Sequence, residues 1–186
     1  MQIKLPDSVK KIIGVLEDQG YEAYAVGGCV RDSILQRTPD DWDITTSAPP
    51  AEVKRLFKRT ADTGIKHGTV TVLLGKEGFE VTTYRIDGAY EDGRHPKSVA
   101  FTASLEEDLR RRDFTVNAMA YNDERGLVDP FLGIADMKRR LIRAVGSPRE
   151  RFTEDALRMM RAVRFAAQLS YEIEEDTRAA IRELAP

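Results

Sequence analysis

The sequence predicts an α+β fold, in which a mixed sheet with helices is followed by an all-helical part. Strand-like and helical runs alternate from residue 7 to about residue 113, as expected for a sheet covered by helices. Beyond "VDPFLG", residues 128–133, apolar residues recur at helical spacing only. We therefore expect two domains, residues 1–130 and 131–186, with their boundary between Asp129 and Gly146.

Glycines and prolines separate the elements of the first part. Gly20 is placed to end a helix, Gly27 and Gly28 lie between a strand and a helix, and Pro49 and Pro50 suit a helix start. The predicted elements are helices 7–19, 30–37 and 50–58 and strands 21–26, 43–46, 68–74 and 79–86. The last two strands are expected to form a hairpin.

The later elements are predicted to be helices. Ser104 and Glu107 have the spacing of a capping box, which favours a helix over residues 105–113 after a loop at residues 88–101. Three further helices are predicted at residues 134–142, 153–169 and 174–185.

The charge is balanced overall but uneven along the chain. The net formal charge of the 186 residues is −2, whereas residues 110–164 carry 13 basic and 8 acidic side chains. This balance argues against a protein that coats nucleic acid and favours a local contact with a polyanion. The single cysteine, Cys29, and the absence of an apolar run of about 20 residues predict a cytoplasmic protein with no membrane partner.

Three carboxylates lie within "PDDWDITT", residues 39–46. Because side chains alternate along a strand, Asp41 and Asp43 are predicted to project together, with Trp42 on the other face. Two carboxylates suit Mg²⁺, which binds oxygen ligands and keeps part of its water. Acidic turn residues at a strand entry are the other interpretation, and it suits Asp40 best. An EF-hand is excluded because Thr46 replaces its turn glycine.

The segment "VGGCVRD", residues 26–32, has the pattern of an anion site. Gly27 and Gly28 would let a phosphate approach the backbone, and Arg31 adds positive charge. A plain tight turn is the alternative, since a pair of glycines is common in turns.

The segment "RRRDFTVNA", residues 110–118, ends a predicted helix with three arginines. Arginines at a helix C-terminus are favoured by the helix dipole alone. Asp113 and Asn117 are set among apolar residues and therefore need polar partners, for which sugar hydroxyls are candidates.

The predicted helix 153–169 has two contrasting faces when its residues are spaced by 100°. One face carries Glu154, Asp155, Arg158, Arg161 and Arg164. The other carries Ala156, Met160, Val163 and Ala167. The charged face is either a binding array or an ordinary solvated face with a cap at Thr153. Glu80, on one strand face with Thr82 and Tyr84, is a candidate third carboxylate or an exposed strand residue.

In chain order, "GGCVRD", "DWDITT", "RRDFTVNA", "VDPFLG" and "FTEDALRMMRAVRFA" resemble the class II tRNA nucleotidyltransferase and bacterial poly(A) polymerase family. The resemblance covers nearly the whole chain. It implies a polymerase-beta-type nucleotidyltransferase head over residues 1–130 and a helical neck over residues 131–186. It also implies a truncated chain, because family members usually continue into helical regions that hold tRNA.

The resemblance implies the addition of CMP and AMP, from CTP and ATP, to the 3′ end of tRNA. Asp41 and Asp43 would hold catalytic Mg²⁺, and Glu80 would be a third active-site carboxylate. The implied nucleotide-binding residues are Gly27, Gly28, Arg31, Arg111, Asp113, Asn117, Glu154, Asp155, Arg158, Arg161 and Arg164. Of these, Asp155 and Arg158 would hydrogen-bond the base.

Specificity stays open between CCA addition, A addition and poly(A) synthesis. Asp92 and Arg94 in "YEDGRHP", residues 90–96, resemble the loop of CCA- and A-adding members and disfavour CC addition. The alternative from another class is a noncatalytic module that binds RNA or nucleotide.

Overall fold

A computed structural model describes residues 2–88 and 98–185, and within them the predicted α+β fold is confirmed. Its helices are α1 (Asp7–Glu17), α2 (Gly28–Ile34), α3 (Pro50–Leu56), α4 (Leu105–Arg110), α5 (Gly133–Arg139), α6 (Pro148–Glu154), α7 (Leu157–Leu169) and α8 (Glu175–Leu184). Its strands are β1 (Ala23–Val26), β2 (Ile44–Thr46), β3 (Thr60–Gly64), β4 (Thr69–Leu74), β5 (Glu77–Thr83), β6 (Arg85–Asp87), β7 (Val99–Phe101), β8 (Ala120–Asn122), β9 (Gly126–Val128), β10 (Leu141–Ile142) and β11 (Glu172–Ile173).

Seven strands form the main sheet in the order β3, β4, β5, β2, β1, β8, β9. Its neighbouring strands are antiparallel except β2 and β5, which pair in parallel. Strands β1 and β2 are buried along their whole length at the centre of the sheet, which explains their runs of apolar and threonine residues. The main core lies between this sheet and helices α1, α2 and α3, and it extends to α7 through Met159, Ala162 and Phe165.

Several strands of the structure are not predicted by the sequence, and one strand is shorter than predicted. Strand β3 has the sequence TADTG and pairs with β4 at the sheet edge, so it lacks the apolar alternation by which strands are recognised. Strands β8 and β9 have three residues each, too few for a clear pattern. The strand predicted over 79–86 ends at Thr83, after which β6 pairs with β7 in a separate two-stranded sheet.

The helix predicted over residues 153–169 is two helices, α6 and α7. The chain is extended at Asp155, with φ −141° and ψ 99°, and its carboxylate accepts the N–H of Leu157 at 3.0 Å. Asp155 thus caps α7, whereas α6 begins earlier, after Ser147, whose hydroxyl accepts the N–H of Glu150. The cap predicted at Thr153 is therefore wrong.

The orientation of α7 is a second correction, because its predicted apolar face is the exposed one. Met160 is 68% exposed and Val163 is 51% exposed, whereas Met159, Ala162 and Phe165 are buried. Arg158, on the same side of the helix as the buried residues, is only 7% exposed. Arg158 and the half-buried Glu154, Asp155 and Arg161 thus face the protein, whereas Arg164 is exposed, so only the end of the charged face is an ordinary solvated face.

After Val128, helices alternate only with the two-residue strands β10 and β11 in the described part of the chain. The division into domains 1–130 and 131–186 agrees with this change but stays a proposal. Asp92 and Arg94 lie outside the described residues. No helix within residues 2–88 or 98–185 is long and apolar enough to cross a membrane.

Gly133 provides a test of the packing that carries "RRRDFTVNA". A Cβ at Gly133 would overlap the carbonyl oxygen of Thr115 and lie 3.0 Å from Met119 Sδ, so Gly133→Ala should destabilise the fold by about 1–3 kcal/mol. Gly14→Ala is the matched control, because its Cβ would meet no atom within 4 Å and it lies in α1. It should stabilise the fold by about 0.5–1 kcal/mol. Urea unfolding measures both, and equal effects would contradict the close contact.

Candidate active site

A cleft of about 720 Å³ lies between the central strands and α7. It brings together most of the residues singled out in the sequence. Its lining is Gly27, Gly28, Cys29, Arg31, Asp32, Asp40, Asp41, Asp43, Arg112, Asp113, Asn117, Arg161, Arg164, Phe165 and Gln168. The 40–43 segment contributes three carboxylates, and arginines from α2, α7 and the segment after α4 contribute the positive charge.

A glycine turn forms the floor of the cleft between β1 and α2. Gly27 has φ 82°, a conformation that favours glycine, and its N–H donates to the Met119 carbonyl at 3.0 Å. A Cβ at Gly27 would lie 3.1 Å from Arg112 Nη1. Both the backbone conformation and the close approach of an arginine therefore require glycine here.

Asp41 and Asp43 both line the cleft, although they precede β2 and do not lie within it. Ladder pairing still reaches this segment, because the Val26 N–H donates to the Asp43 carbonyl at 3.0 Å. Ile44 pairs with Val81 in the parallel register of β2 and β5, so Glu80, one residue earlier, neighbours Asp43. The sheet thereby brings the predicted third carboxylate next to the pair.

The carboxylates around Asp43 repel one another. Although Asp43 keeps exposed surface, partial desolvation in the cleft raises the pKa of its carboxyl, Arg112 lowers it, and the carboxylates of Glu80 and Asp41 raise it further. Within residues 2–88 and 98–185, no three His, Cys, Asp or Glu side chains converge as ligands for one metal ion. A cation held by Asp41 and Asp43 would relieve this repulsion, and its oxygen-only ligands fit Mg²⁺.

A chain of hydrogen bonds between lining residues joins α2 to α7. Arg31 Nη1 donates to Asn117 Oδ1 at 2.6 Å, and Asn117 Nδ2 donates to Asp113 Oδ1 at 3.3 Å. Arg161 Nε and Nη2 both lie 2.7 Å from Asp113 Oδ2. The partners that the sequence required for Asp113 and Asn117 are thus arginines of the protein, one from α2 and one from α7.

Arg111 and Arg112 point to different places. Arg111 donates to Asp108 Oδ1 at 2.8 and 3.0 Å and lines a second cavity of about 160 Å³ with Glu154. Arg112 lines the cleft beside Gly27. Arg112 therefore lines the cleft, whereas Arg111, the predicted nucleotide-binding residue, lies outside the cleft lining. The run of three arginines gave no means of choosing, since α4 ends before both.

Asp108 was missed, although it supports both arginines. Its carboxylate is fully buried, accepts a hydrogen bond from the Thr45 hydroxyl at 3.0 Å, and lies 3.6 Å from Arg112 Nη2. Burial alone would raise the pKa of Asp108, but Arg111 and Arg112 hold it below its usual value. Asp108 thus stays ionised and ties β2, which follows Asp43, to the arginine run.

Glu154, Asp155 and Arg158 form a group outside the cleft lining. Arg158 Nη1 donates to Glu154 Oε2 at 3.2 Å, and Arg158 Nη2 donates to the Arg111 carbonyl at 3.1 Å. Asp155 Oδ2 lies 3.8 Å from Arg158 Nε. Burial raises the pKa of Glu154, Arg151 and Arg158 lower it, and Asp87 raises it. This group is joined to the cleft by α7, which carries Arg161 and Arg164 one and two turns later.

Comparison with known proteins shows which family this chain belongs to. The profile of the family described as "Poly A polymerase head domain" matches residues 23–143. The chain belongs to the poly(A) polymerase head domain family. Nucleotidyltransferases of this family generally use a divalent metal ion.

The relatives of this chain include CCA-adding enzymes. The CCA-adding enzyme of Lactobacillus helveticus is 55% identical over 183 residues, which are 97% of this chain and 46% of that protein. That of Lactiplantibacillus plantarum is 57% identical over 178 residues, 96% of this chain and 44% of the relative. This head-domain protein thus spans less than half the length of these curated relatives.

Solved structures agree with the fold of this head-domain protein. The Bacillus stearothermophilus CCA-adding enzyme in complex with CTP superimposes with a TM-score of 0.90 and 48% identity, over 99% of this chain and 45% of that one. A tRNA nucleotidyltransferase complexed with a primer tRNA and an incoming ATP analog has a TM-score of 0.72 and 33% identity, over 92% and 49% of the two chains.

Proposed function

We propose that this chain is the nucleotidyltransferase part of a CCA-adding enzyme, which adds CMP and AMP from CTP and ATP to the 3′ end of tRNA. The observation that carries the proposal is one cleft that is lined both by Asp41 and Asp43 and by arginines from α2 and α7. The relatives that span this chain are named CCA-adding enzymes, which supports the choice of CCA over A or poly(A) addition. The expected cytoplasmic location stays a prediction.

Asp41 and Asp43 would hold Mg²⁺ in this proposal, with Glu80 beside them. When bound, Mg²⁺ would activate the RNA 3′-hydroxyl and neutralise the charge that develops on the phosphates. Because the carboxylates of Asp41, Asp43 and Glu80 repel one another, a cation would be attracted to this position. Asp41 and Asp43 supply only part of a coordination shell, and water and substrate phosphates complete it in sites of this kind.

The triphosphate would lie over the glycine turn. The backbone at Gly27 and Gly28 is open to the cleft, and the positive charges available there are Arg31, Arg112, Arg161 and Arg164. Asp113 and Asn117 orient two of these arginines and present their remaining polar capacity to the nucleotide sugar. Positively charged residues held in place before the reaction stabilise the leaving pyrophosphate without reorganisation.

The base would be selected by Asp155 and Arg158. Glu154 and the Arg111 carbonyl fix two donors of the Arg158 guanidinium, which limits its freedom to turn. Arg111 would act through this contact and through Asp108, without touching the nucleotide phosphates. Selection by fixed protein donors and acceptors needs no nucleic-acid template.

Nucleotide addition by the full-length protein tests the proposal. With tRNA lacking its CCA end, Mg²⁺ and labelled nucleotides, we expect CMP and then AMP to be incorporated. Asp41→Ala or Asp43→Ala should lower the rate by at least about 10²-fold, because each removes a group that holds the transition-state metal. Asp40→Ala, a neighbouring carboxylate of the cleft, should keep most of the activity.

Other products distinguish the alternatives. AMP addition alone would indicate an A-adding enzyme, and long A tails would indicate a poly(A) polymerase. Binding of CTP without incorporation would indicate a noncatalytic module. Near-normal rates for Asp41→Ala and Asp43→Ala in saturating Mg²⁺ would contradict the metal assignment.

Asp155→Asn tests the selection of the base. Asparagine keeps a cap for α7 but replaces one acceptor with a donor, so the fold should be retained while base discrimination falls. We expect the ratio of kcat/KM for CTP over UTP to fall by about tenfold or more. Asp176→Asn, in the first turn of α8, is the control for the loss of one charge. An unchanged ratio in Asp155→Asn would exclude Asp155 as a base-reading residue.

A further inference from the structure

Three guanidinium groups surround one aromatic ring at the cleft. The guanidinium carbons of Arg31, Arg161 and Arg164 lie 5.2, 5.1 and 5.1 Å from the centroid of the Phe165 ring. All four residues line the cleft. Such distances are within the range of cation–π attraction, in which a cation is drawn to the electron-rich face of a ring.

The cluster joins two parts of the fold. Arg31 comes from α2, next to the glycine turn, whereas Arg161, Arg164 and Phe165 belong to α7. Phe165 is 7% exposed, and its ring packs edge to face against Phe114 with centroids 6.0 Å apart. The ring is therefore held by the core on one side and presents its remaining surface to the arginines.

Gathering three positive charges at one place costs electrostatic energy, so each arginine needs a favourable partner. Arg31 has Asn117 and Asp32, and Arg161 has Asp113. Arg164 differs, because within the described residues it makes no hydrogen bond or ion pair, and its contact is with the Phe165 ring. The position of Arg164 thus depends on the ring more than that of the other two.

We propose that Phe165 is a positioning residue whose ring holds Arg31, Arg161 and Arg164 together as the site for the outer phosphates of the nucleotide. This inference rests on the proposed function of the cleft. A residue that only filled the core would require apolar volume, which leucine or methionine also supplies. A positioning residue requires an aromatic face, which they lack.

Calorimetric titration of the chain with CTP and with CMP, each with Mg²⁺, tests the proposal. Phe165→Leu should weaken CTP binding about tenfold, the loss expected when three cation–π contacts are removed together. CMP lacks the outer phosphates, so its affinity should change much less. Phe165→Tyr keeps the ring and should restore CTP binding to within about threefold. Phe165→Met provides a second ringless variant if Phe165→Leu does not fold, with folding checked by thermal melting.

A double-mutant cycle identifies the residue through which the ring acts. Combined with Arg164→Gln, Phe165→Leu should cost less CTP affinity than it does alone, because one target of the ring has been removed. Equal CTP affinity in the wild type and the ringless variants would overturn the proposal. A parallel loss of CTP and CMP affinity would overturn it too, by showing a general packing effect. Failure of the wild-type chain to bind CTP would instead remove the proposed function, and this inference with it.

Discussion

The arrangement of charges in the cleft depends on Asp113 and Asn117, which together hold one arginine from α2 and one from α7. Arg31 reaches Asn117 at 2.6 Å from α2, and Arg161 reaches Asp113 at 2.7 Å from α7. Asp113 and Asn117 are 8% and 6% exposed. The Arg31 side chain is 5% exposed, so its contact with Asn117 forms away from water, where hydrogen bonds to charged groups are strong, whereas the Arg161 side chain is 37% exposed. The positions of these two arginines are thus set by contacts within the protein, before any nucleotide enters.

The same site contains neighbouring carboxylates whose mutual repulsion the fold compensates only in part. Asp43 lies beside Glu80 and Asp41, and its pKa is raised by partial burial and by their charges, with Arg112 offsetting only part of the effect. Asp108 shows the opposite solution, because its arginine partners keep its pKa low. The protein therefore supplies the counter-charge for Asp108 but only part of it for Asp43, which is the pattern expected if a cation binds at Asp43 as proposed.

The fold class and the elements with clear apolar spacing could be predicted from the sequence, as could the convergence of Asp41, Asp43 and the glycine turn. Local patterns could not place β3, whose polar sequence gains its strand conformation only by pairing with β4. They also could not find the break at Asp155, because a capping carboxylate and a helical one look alike in sequence. The choice between Arg111 and Arg112 depended on the buried Asp108, which only tertiary structure reveals.

The central claim is that the phosphates bind in the cleft and not in the second cavity. A crystal structure of the chain with Mg²⁺ and a nonhydrolysable CTP analogue tests it most directly. The account predicts a metal ion on the carboxylates of Asp41 and Asp43, with the phosphates between the glycine turn and Arg161. Phosphates bound instead beside Arg111, in the cavity lined by Arg151 and Glu154, would contradict it.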